Sequence, residues 1–347
     1  MTVSLRTRRR LWRWLVFVVL GGIAGIFYTV VILPSDRSGA ASWLTGARAG
    51  MLIAGGASGL ELFVIYGAWG AVLRRLPFLQ FLGLRVAAHA TLITLLLIFN
   101  TYIGRMLGER WADYAFEPKQ VLASIAFSLL ALTIALFVAQ AQSLIGGRTL
   151  ANVVLGRYHR PRHEERLFLL FDVKGSTPLA VRLGDEKFHE LLADIFFDID
   201  APITELGGEV YEYVGDAVIA TWPLGVSESE QHAIRAIFAA RAAVQARAAG
   251  YQQKYGTVPE FRAVLHRGSV VAGECGASKR QIVYRGETLN TIARLEALAK
   301  DLGKDAIITD TGQGASLPAG IRSEDLGRHA LKGLDTPVHV LSLVEAA

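Results

Sequence analysis

Trp14 to Leu33 is a run of 20 residues without a charge. At about 1.5 Å of rise per residue, that is what a helix needs to cross the hydrocarbon core of a bilayer. Three more apolar stretches follow, Ala49–Leu73, Val86–Gly104 and Gln120–Gly146. The first half of the chain is therefore expected to form an N-terminal α-helical transmembrane bundle of about four spans, with the lipid bilayer as its partner. A cleaved signal peptide fits less well, because no small-residue cleavage site follows the first run and more spans come after it.

Charge sets the expected orientation. Arg6, Arg8, Arg9 and Arg10 crowd ahead of the first span, and Arg74, Arg75 and Arg85 fall on the second short loop. Basic residues hold such segments on the cytoplasmic side. The opposite loops are not free of charge, since Arg37, Arg105, Arg110 and Lys119 lie there. Four crossings return the chain to its starting side, so the remainder is expected in the cytoplasm, against the inner face of the cell membrane. The same arginines account for the net charge of +5 without a nucleic-acid partner, and none is expected.

Of the 347 residues, 52% are hydrophobic, and the excess is concentrated before Gly146. This shift divides the chain into a transmembrane domain (1–146), a juxtamembrane linker (147–166) and a second, ordinarily charged domain (167–347). The linker is basic and partly amphipathic, with Leu150, Val153 and Val154 on one possible helical face and Arg148, Arg157, Arg160 and Arg162 suited to anionic headgroups. A single cysteine, Cys275, excludes an internal disulfide framework. Glu61 and His89 are ionisable groups inside expected spans, where such groups are costly. Mutual pairing to fix helix packing and a sensing role both remain open.

Chemistry begins after the linker. Leu167–Asp172 is an apolar run ending in an acid, read as a buried strand that delivers a carboxylate at its tip. Gly175, Ser176 and Thr177 then open a helical pattern, where unbonded backbone N–H groups suit phosphate. The upstream glycine of a P-loop is missing. Two β-type runs, Glu209–Val214 and Ala217–Trp222, are joined by Gly215-Asp216, a hairpin signal with a second carboxylate in its turn. Asp172 and Asp216 at one sheet edge would present the hard oxygen ligands that Mg²⁺ or Mn²⁺ prefers. Finally, Asn290 and Arg294 are four apart on one helix face, an amide beside a guanidinium.

In this order, the Phe171–Thr177 stretch, the GGEVYEYVGDAV hairpin, the GETLN-x-x-A-R-L-E helix and the late Leu331-Lys332-Gly333 resemble the class III adenylyl/guanylyl cyclase catalytic domain over about Arg166 to Leu343. The resemblance implies a ferredoxin-like α/β (α+β) core, working as a head-to-tail homodimer with composite active sites. It implies that Asp172 and Asp216, helped by the carbonyl of Val173, hold two Mg²⁺ or Mn²⁺ ions per site. It further implies that Asn290 orients the ribose, Arg294 stabilises the pentavalent phosphorus and Lys332 contacts the terminal phosphates. The GGDEF signature of diguanylate cyclases is absent.

The resemblance also assigns base reading to two positions, here Glu212 and Val283. Glu212 can accept from guanine N1–H and N2–H₂, which favours GTP. Val283 fits neither pattern, and the phrase EYVGD is similar to a bacterial subgroup regarded as adenylyl cyclases. ATP is the expected substrate, making this an adenylate cyclase that forms cyclic AMP and pyrophosphate. A guanylate cyclase using GTP is the alternative, as is a membrane receptor with an inactive, nucleotide-binding cyclase domain.

Overall fold

The computed structural model describes residues 5–32, 40–65, 76–108, 118–145, 156–225, 228–277, 281–310 and 317–346. They divide into two compact units, Met1–Ser143 and Leu144–Ala347.

The first unit is helical. Helix α1 (Leu5–Phe27) continues as a π-helical turn at Tyr28–Ile32, and α2 (Ala40–Gly59) does the same at Leu60–Ile65. Helices α3 (Phe78–Met106) and α4 (Pro118–Ile145) follow. Among the described residues, three helices are long and apolar enough to cross a membrane, through Trp14–Val31, Trp43–Val64 and Gly83–Met106. The fourth expected span falls on α4, which has 28 residues but whose apolar window among the described residues is the shorter Leu122–Ala135.

Small residues let α1 and α2 approach closely. A Cβ on Gly21 would stand 2.5 Å from the carbonyl oxygen of Gly50, and one on Gly46 would stand 2.5 Å from that of Gly25. The two four-residue glycine spacings thus face each other, and backbone approaches backbone. The Trp14 Nε1–H donates to the Gly55 carbonyl at 2.8 Å across the same pair. Helix α2 begins nine residues before the expected start of the second span, so Arg48 lies within a helix; its Nε donates to Asn100 Oδ1 of α3 at 2.9 Å.

Arg85, expected on a loop, lies in α3 and turns its charge onto Glu61, with Nε 2.6 Å from Oε1. His89 Nε2 is 3.3 Å from the same oxygen. Glu61 is therefore paired with an arginine within the bundle, while His89 Nε2 lies near it without a hydrogen bond. Arg37, Arg74, Arg75, Arg110 and the linker residues Leu150, Val153 and Val154 lie outside the described residues.

The second unit carries one eight-stranded sheet. Its elements are β1 (Arg162–Val173), α5 (Ser176–Leu183), α6 (Asp185–Glu205), β2 (Glu209–Val214), β3 (Ala217–Pro223), α7 (Ser229–Gln245), α8 (Ala248–Tyr255), β4 (Phe261–Cys275), β5 (Gln281–Arg285), α9 (Glu287–Asp301), β6 (Ala306–Asp310), β7 (Ile321–His329) and β8 (Val338–Glu345). The order is β2-β3-β1-β4-β6-β8-β7, with β5 paired to β4. Strands β1 to β4 with their helices make the expected βαββαβ ferredoxin-like core. The strand β1 starts at Arg162, so the end of the expected linker is the start of the sheet.

The continuous apolar run of β1 follows from its position at the centre of this core. Leu167, Leu169, Phe171 and Val173 enter the core on one face, with residues of α6 and α7. Phe168 and Leu170 enter the core on the other, with Ile292 and Leu295 of α9. Side chains alternate along a strand, so a strand covered on both faces must be apolar at every position. Asp172 ends this run at the rim.

Candidate active site

Asp172 stands opposite Ala217 of β3 and opposite Arg262 of β4. Asp216 immediately precedes Ala217, in the two-residue turn of the β2–β3 hairpin. Gly215 takes the first central position of that turn with φ 61°, the positive dihedral that lets a tight turn follow the twist of its strands. Register and turn together put both carboxylates at one end of neighbouring strands.

A third carboxylate, Glu296 of α9, acts on the same place. Partial burial raises the Asp172 carboxyl to about 6, with further upward contributions from the charges of Asp216 and Glu296. Arg262 opposes them; its Nη1 lies 3.7 Å from Asp172 Oδ2 and 3.9 Å from Glu296 Oε1. One guanidinium serves several acids, so the cluster favours an additional cation. Among the described residues, no group of three or more His, Cys, Asp or Glu side chains could hold a metal ion by itself. An all-oxygen pair that needs further oxygens to complete a coordination shell suits Mg²⁺ or Mn²⁺ bound together with phosphate. The donor set at Asp172 and Asp216 fits such an ion. The backbone of Val173 continues the ladder opposite Phe261 at the same rim.

Next along the chain, Gly175 caps α5 with no side-chain hydrogen bond. The first N–H groups of the helix, at Ser176 and Thr177, have no acceptor within it and are available to an anion. Lys174 is turned away, paired with Glu260 and Asp305. A cleft of about 390 Å³ opens beside Gly175, between Pro178 and Glu260, and is lined by neither Asp172 nor Asp216.

The remaining expected site residues lie elsewhere. Asn290 is exposed on α9, and Arg294 is half-buried. Arg294 Nη1 is buried without a hydrogen-bond partner. Its guanidinium packs over the Leu331–Leu334 turn, where a Cβ on Gly333 would lie 3.1 Å from Nη2. That turn is closed by the Leu334 N–H donating to Leu331 O at 3.0 Å, and it exposes Lys332. On α9, Thr288, Ile292, Leu295 and Ala299 are buried. Glu296 follows Arg294 by two residues, which turns it through roughly 200° of helix. Asn290 and Arg294 therefore occupy one flank of α9, and Glu296, beside Asp172, the other. The contacts described join Asp172 to Asp216, Glu296 and Arg262, and separately set Arg294 against the turn that carries Lys332.

Glu212 is exposed on β2, and Val283 is half-buried on β5 opposite Gly273. The side chains that link these two strands, Tyr211 and Tyr284, are 73 residues apart in sequence and left no signal there. Glu296 and Arg262 also went unread: an acid on a helix flank looks like a solvated residue until the register of β1 against β4 is known.

The model of the adenylate and guanylate cyclase catalytic domain matches residues 159–342. Adenylate cyclase 2 of Rhizobium meliloti is 40% identical over 209 residues, covering 60% of this chain and 58% of that protein. Retinal guanylyl cyclase 1 of Homo sapiens is 26% identical over 175 residues, covering 50% of this chain and 16% of that one. The chain thus spans less than two thirds of the length of either relative. Among solved structures, a bacterial light-regulated adenylyl cyclase superposes with a TM-score of 0.53 at 22% identity, over 62% of this chain and 63% of that one, a likeness of fold. With more than half of its residues inside that family match, this chain belongs to the adenylate and guanylate cyclase catalytic domain family, preceded here by helices able to cross a membrane.

Proposed function

We propose that this chain is a membrane-anchored adenylate cyclase, which converts ATP to 3′,5′-cyclic AMP and pyrophosphate at sites shared between two copies. The catalytic domain works on the cytoplasmic side of the cell membrane, where its substrate is found. The observation that carries the reading is the convergence of Asp172 and Asp216 at one strand end, away from Asn290 and Arg294 on the far flank of α9. Neither group suffices alone; a head-to-tail partner supplies to each what it lacks.

In this reading, Asp172, Asp216 and the Val173 carbonyl hold two Mg²⁺ or Mn²⁺ ions. Bound there, the ions supply Lewis acidity at the ribose 3′-oxygen and the phosphates. The backbone N–H groups of Gly175, Ser176 and Thr177 receive phosphate oxygens, and Lys332 of the partner copy takes the terminal ones. Asn290 orients the ribose so that its 3′-oxygen lies in line with the α-phosphorus. As the new P–O bond forms and the bond to pyrophosphate breaks, negative charge grows on the α-phosphate, and the Arg294 guanidinium is the donor that meets it. Positioning and electrostatics carry the reaction; no side chain serves as a dedicated base.

ATP is supported by the 40% identity to an adenylate cyclase. The exposed Glu212 carboxylate favours the second reading, GTP, since it can accept from guanine. The deciding experiment is chromatography of products from ATP and from GTP, each with Mn²⁺, in one preparation of the purified chain. Cyclic AMP in excess supports the proposal, and cyclic GMP in excess gives the guanylate reading. Nucleotide binding without either product would mean an inactive receptor domain.

A further inference from the structure

Tyr211 adjoins Glu212, and Tyr284 adjoins Val283. Their strands β2 and β5 are not paired with each other; β3, β1 and β4 lie between them in the sheet. Side chains make the connection instead. The Tyr284 backbone N–H donates to the Tyr211 hydroxyl at 3.2 Å, and the two rings stand 4.9 Å apart at 58°. A β-bulge makes this reach possible. Val210 pairs with Ala220 and Glu212 with Ile219, which leaves Tyr211 as the extra residue. A bulge re-aims the side chain it inserts, here toward β5.

Arg166 of β1 lies against the same pair. Its guanidinium is 4.7 Å from the Tyr284 ring centroid, and the residue is only 4% exposed. Nε donates to Thr221 Oγ1 of β3 at 3.0 Å, and Nη1 donates to Glu164 Oε2 at 2.8 Å. Glu164 is held in turn by the Tyr158 hydroxyl at 2.9 Å. Phe168 meets Tyr284 edge-on at 5.6 Å. A buried guanidinium is costly to keep where a well-packed apolar side chain would serve, but its rigid plane fixes the ring stacked on it.

We infer that Arg166, Tyr284 and Tyr211 form a positioning unit that fixes the separation of Glu212 and Val283 and thereby sets the preference between adenine and guanine nucleotides. The inference rests on the reading of Glu212 and Val283 as the base-contacting pair. None of the three is assigned a contact with substrate. They act by holding β5 to the β2 bulge, so disturbing them loosens discrimination and leaves the reacting groups in place.

The test uses the full chain in detergent, with kcat and KM measured for ATP and GTP and thermal melting measured alongside. Tyr211→Phe deletes one oxygen and leaves the Tyr284 N–H without its acceptor. Arg166→Lys keeps the charge and loses the stacked plane. Each is expected to move the ratio of kcat/KM between the two nucleotides toward unity by about fivefold, the scale of one buried hydrogen bond. The change falls on KM, and the double variant moves the ratio little further than the larger single one. Glu212→Lys, which replaces an acceptor by a donor at the base itself, is the control. Folded Tyr211→Phe and Arg166→Lys proteins with ratios within about twofold of wild type, beside a shifted Glu212→Lys, would overturn the positioning unit alone. An unchanged ratio in Glu212→Lys would overturn the base-reading pair and the unit with it. If Arg166→Lys fails to fold, Tyr211→Phe decides the matter.

Discussion

The strand tips of β1 and β3 and the outer flank of α9 are opposite in what they lack. At the tips, Asp172 and Asp216 stand with Glu296 beside them and one guanidinium, Arg262, to serve both Asp172 and Glu296. On the flank, Arg294 buries a donor with nothing to accept it, next to an exposed Asn290 and Lys332. One region has acids awaiting cations, and the other has cations awaiting an anion. Under the proposed function a triphosphate with its metals would satisfy both, provided that a second copy brings the two regions face to face. The contrast is what the proposed two-copy arrangement explains, each copy holding one half of every site.

The largest effects should come from the acidic half. Asp172→Ala or Asp216→Ala is expected to reduce turnover by at least about a thousandfold, the scale of losing a metal that both activates and neutralises oxygens. Melting temperature should hold or rise, because removing one like charge relieves the cluster. Wild-type rates in either variant would remove the metal assignment.

The other half is tested by Arg294→Ala, expected to lower kcat about a hundredfold or more with a smaller change in KM, as for a donor that acts on charge developed in the transition state. Mixing it with Asp216→Ala sharpens the comparison. Random pairing makes half of the dimers mixed, each with one whole site of two, so activity should return to about one quarter of wild type. Confirmed mixed dimers without recovery would place both halves of a site in the same chain.

Acidity offers a third handle. The Asp172 carboxyl sits above its ordinary range, at about 6, and is therefore protonated below that pH and ionised above it. A metal must displace that proton, so Mn²⁺ affinity should be flat above pH 6 and fall by about tenfold per unit below it. Glu296→Gln removes one of the charges that raise the group and should move the break to lower pH. Titration of Mn²⁺ by magnetic resonance reads this without turnover; a break that stays in place would exclude Glu296 as a cause.

Part of this arrangement is legible in the sequence alone. Asp172 could be read because a doubly covered strand is apolar until it reaches the rim, and Asp216 because Gly-Asp between two β-type runs makes a turn. The hairpin strands were found at their observed starts. Glu296, Arg262, Tyr211 and Tyr284 were not found, because each acquires its role from a pairing across the sheet that local spacing does not encode. In the helical unit the sequence carries a packing signal as well: Gly21 and Gly25, then Gly46 and Gly50, repeat a four-residue spacing in two apolar helices. Arg85 was misplaced because a charge near a span end reads as a loop residue until its partner, Glu61, is seen.

The last effect is also the most local. Gly333 has φ 79°, and a Cβ there would stand 3.1 Å from Arg294 Nη2, with the rest of that guanidinium next nearest. Gly333→Ala must shift the end of this flexible side chain, at little cost to the fold beyond the backbone penalty of about 1 kcal/mol for a side chain at positive φ. The group that shifts is the one assigned to the α-phosphate, so kcat should fall by about tenfold, the cost of misplacing a preorganised donor. The neighbouring Lys332 gives the opposite signature: disturbing a terminal-phosphate contact present in the ground state would raise KM at constant kcat. Gly320→Ala is the control, because Gly320 has φ 83° with nothing within 4 Å of a Cβ. Both variants carry the same backbone strain, and only Gly333→Ala should lose turnover. Equal losses in the two would mean that strain in the domain, and not the position of Arg294, limits the rate.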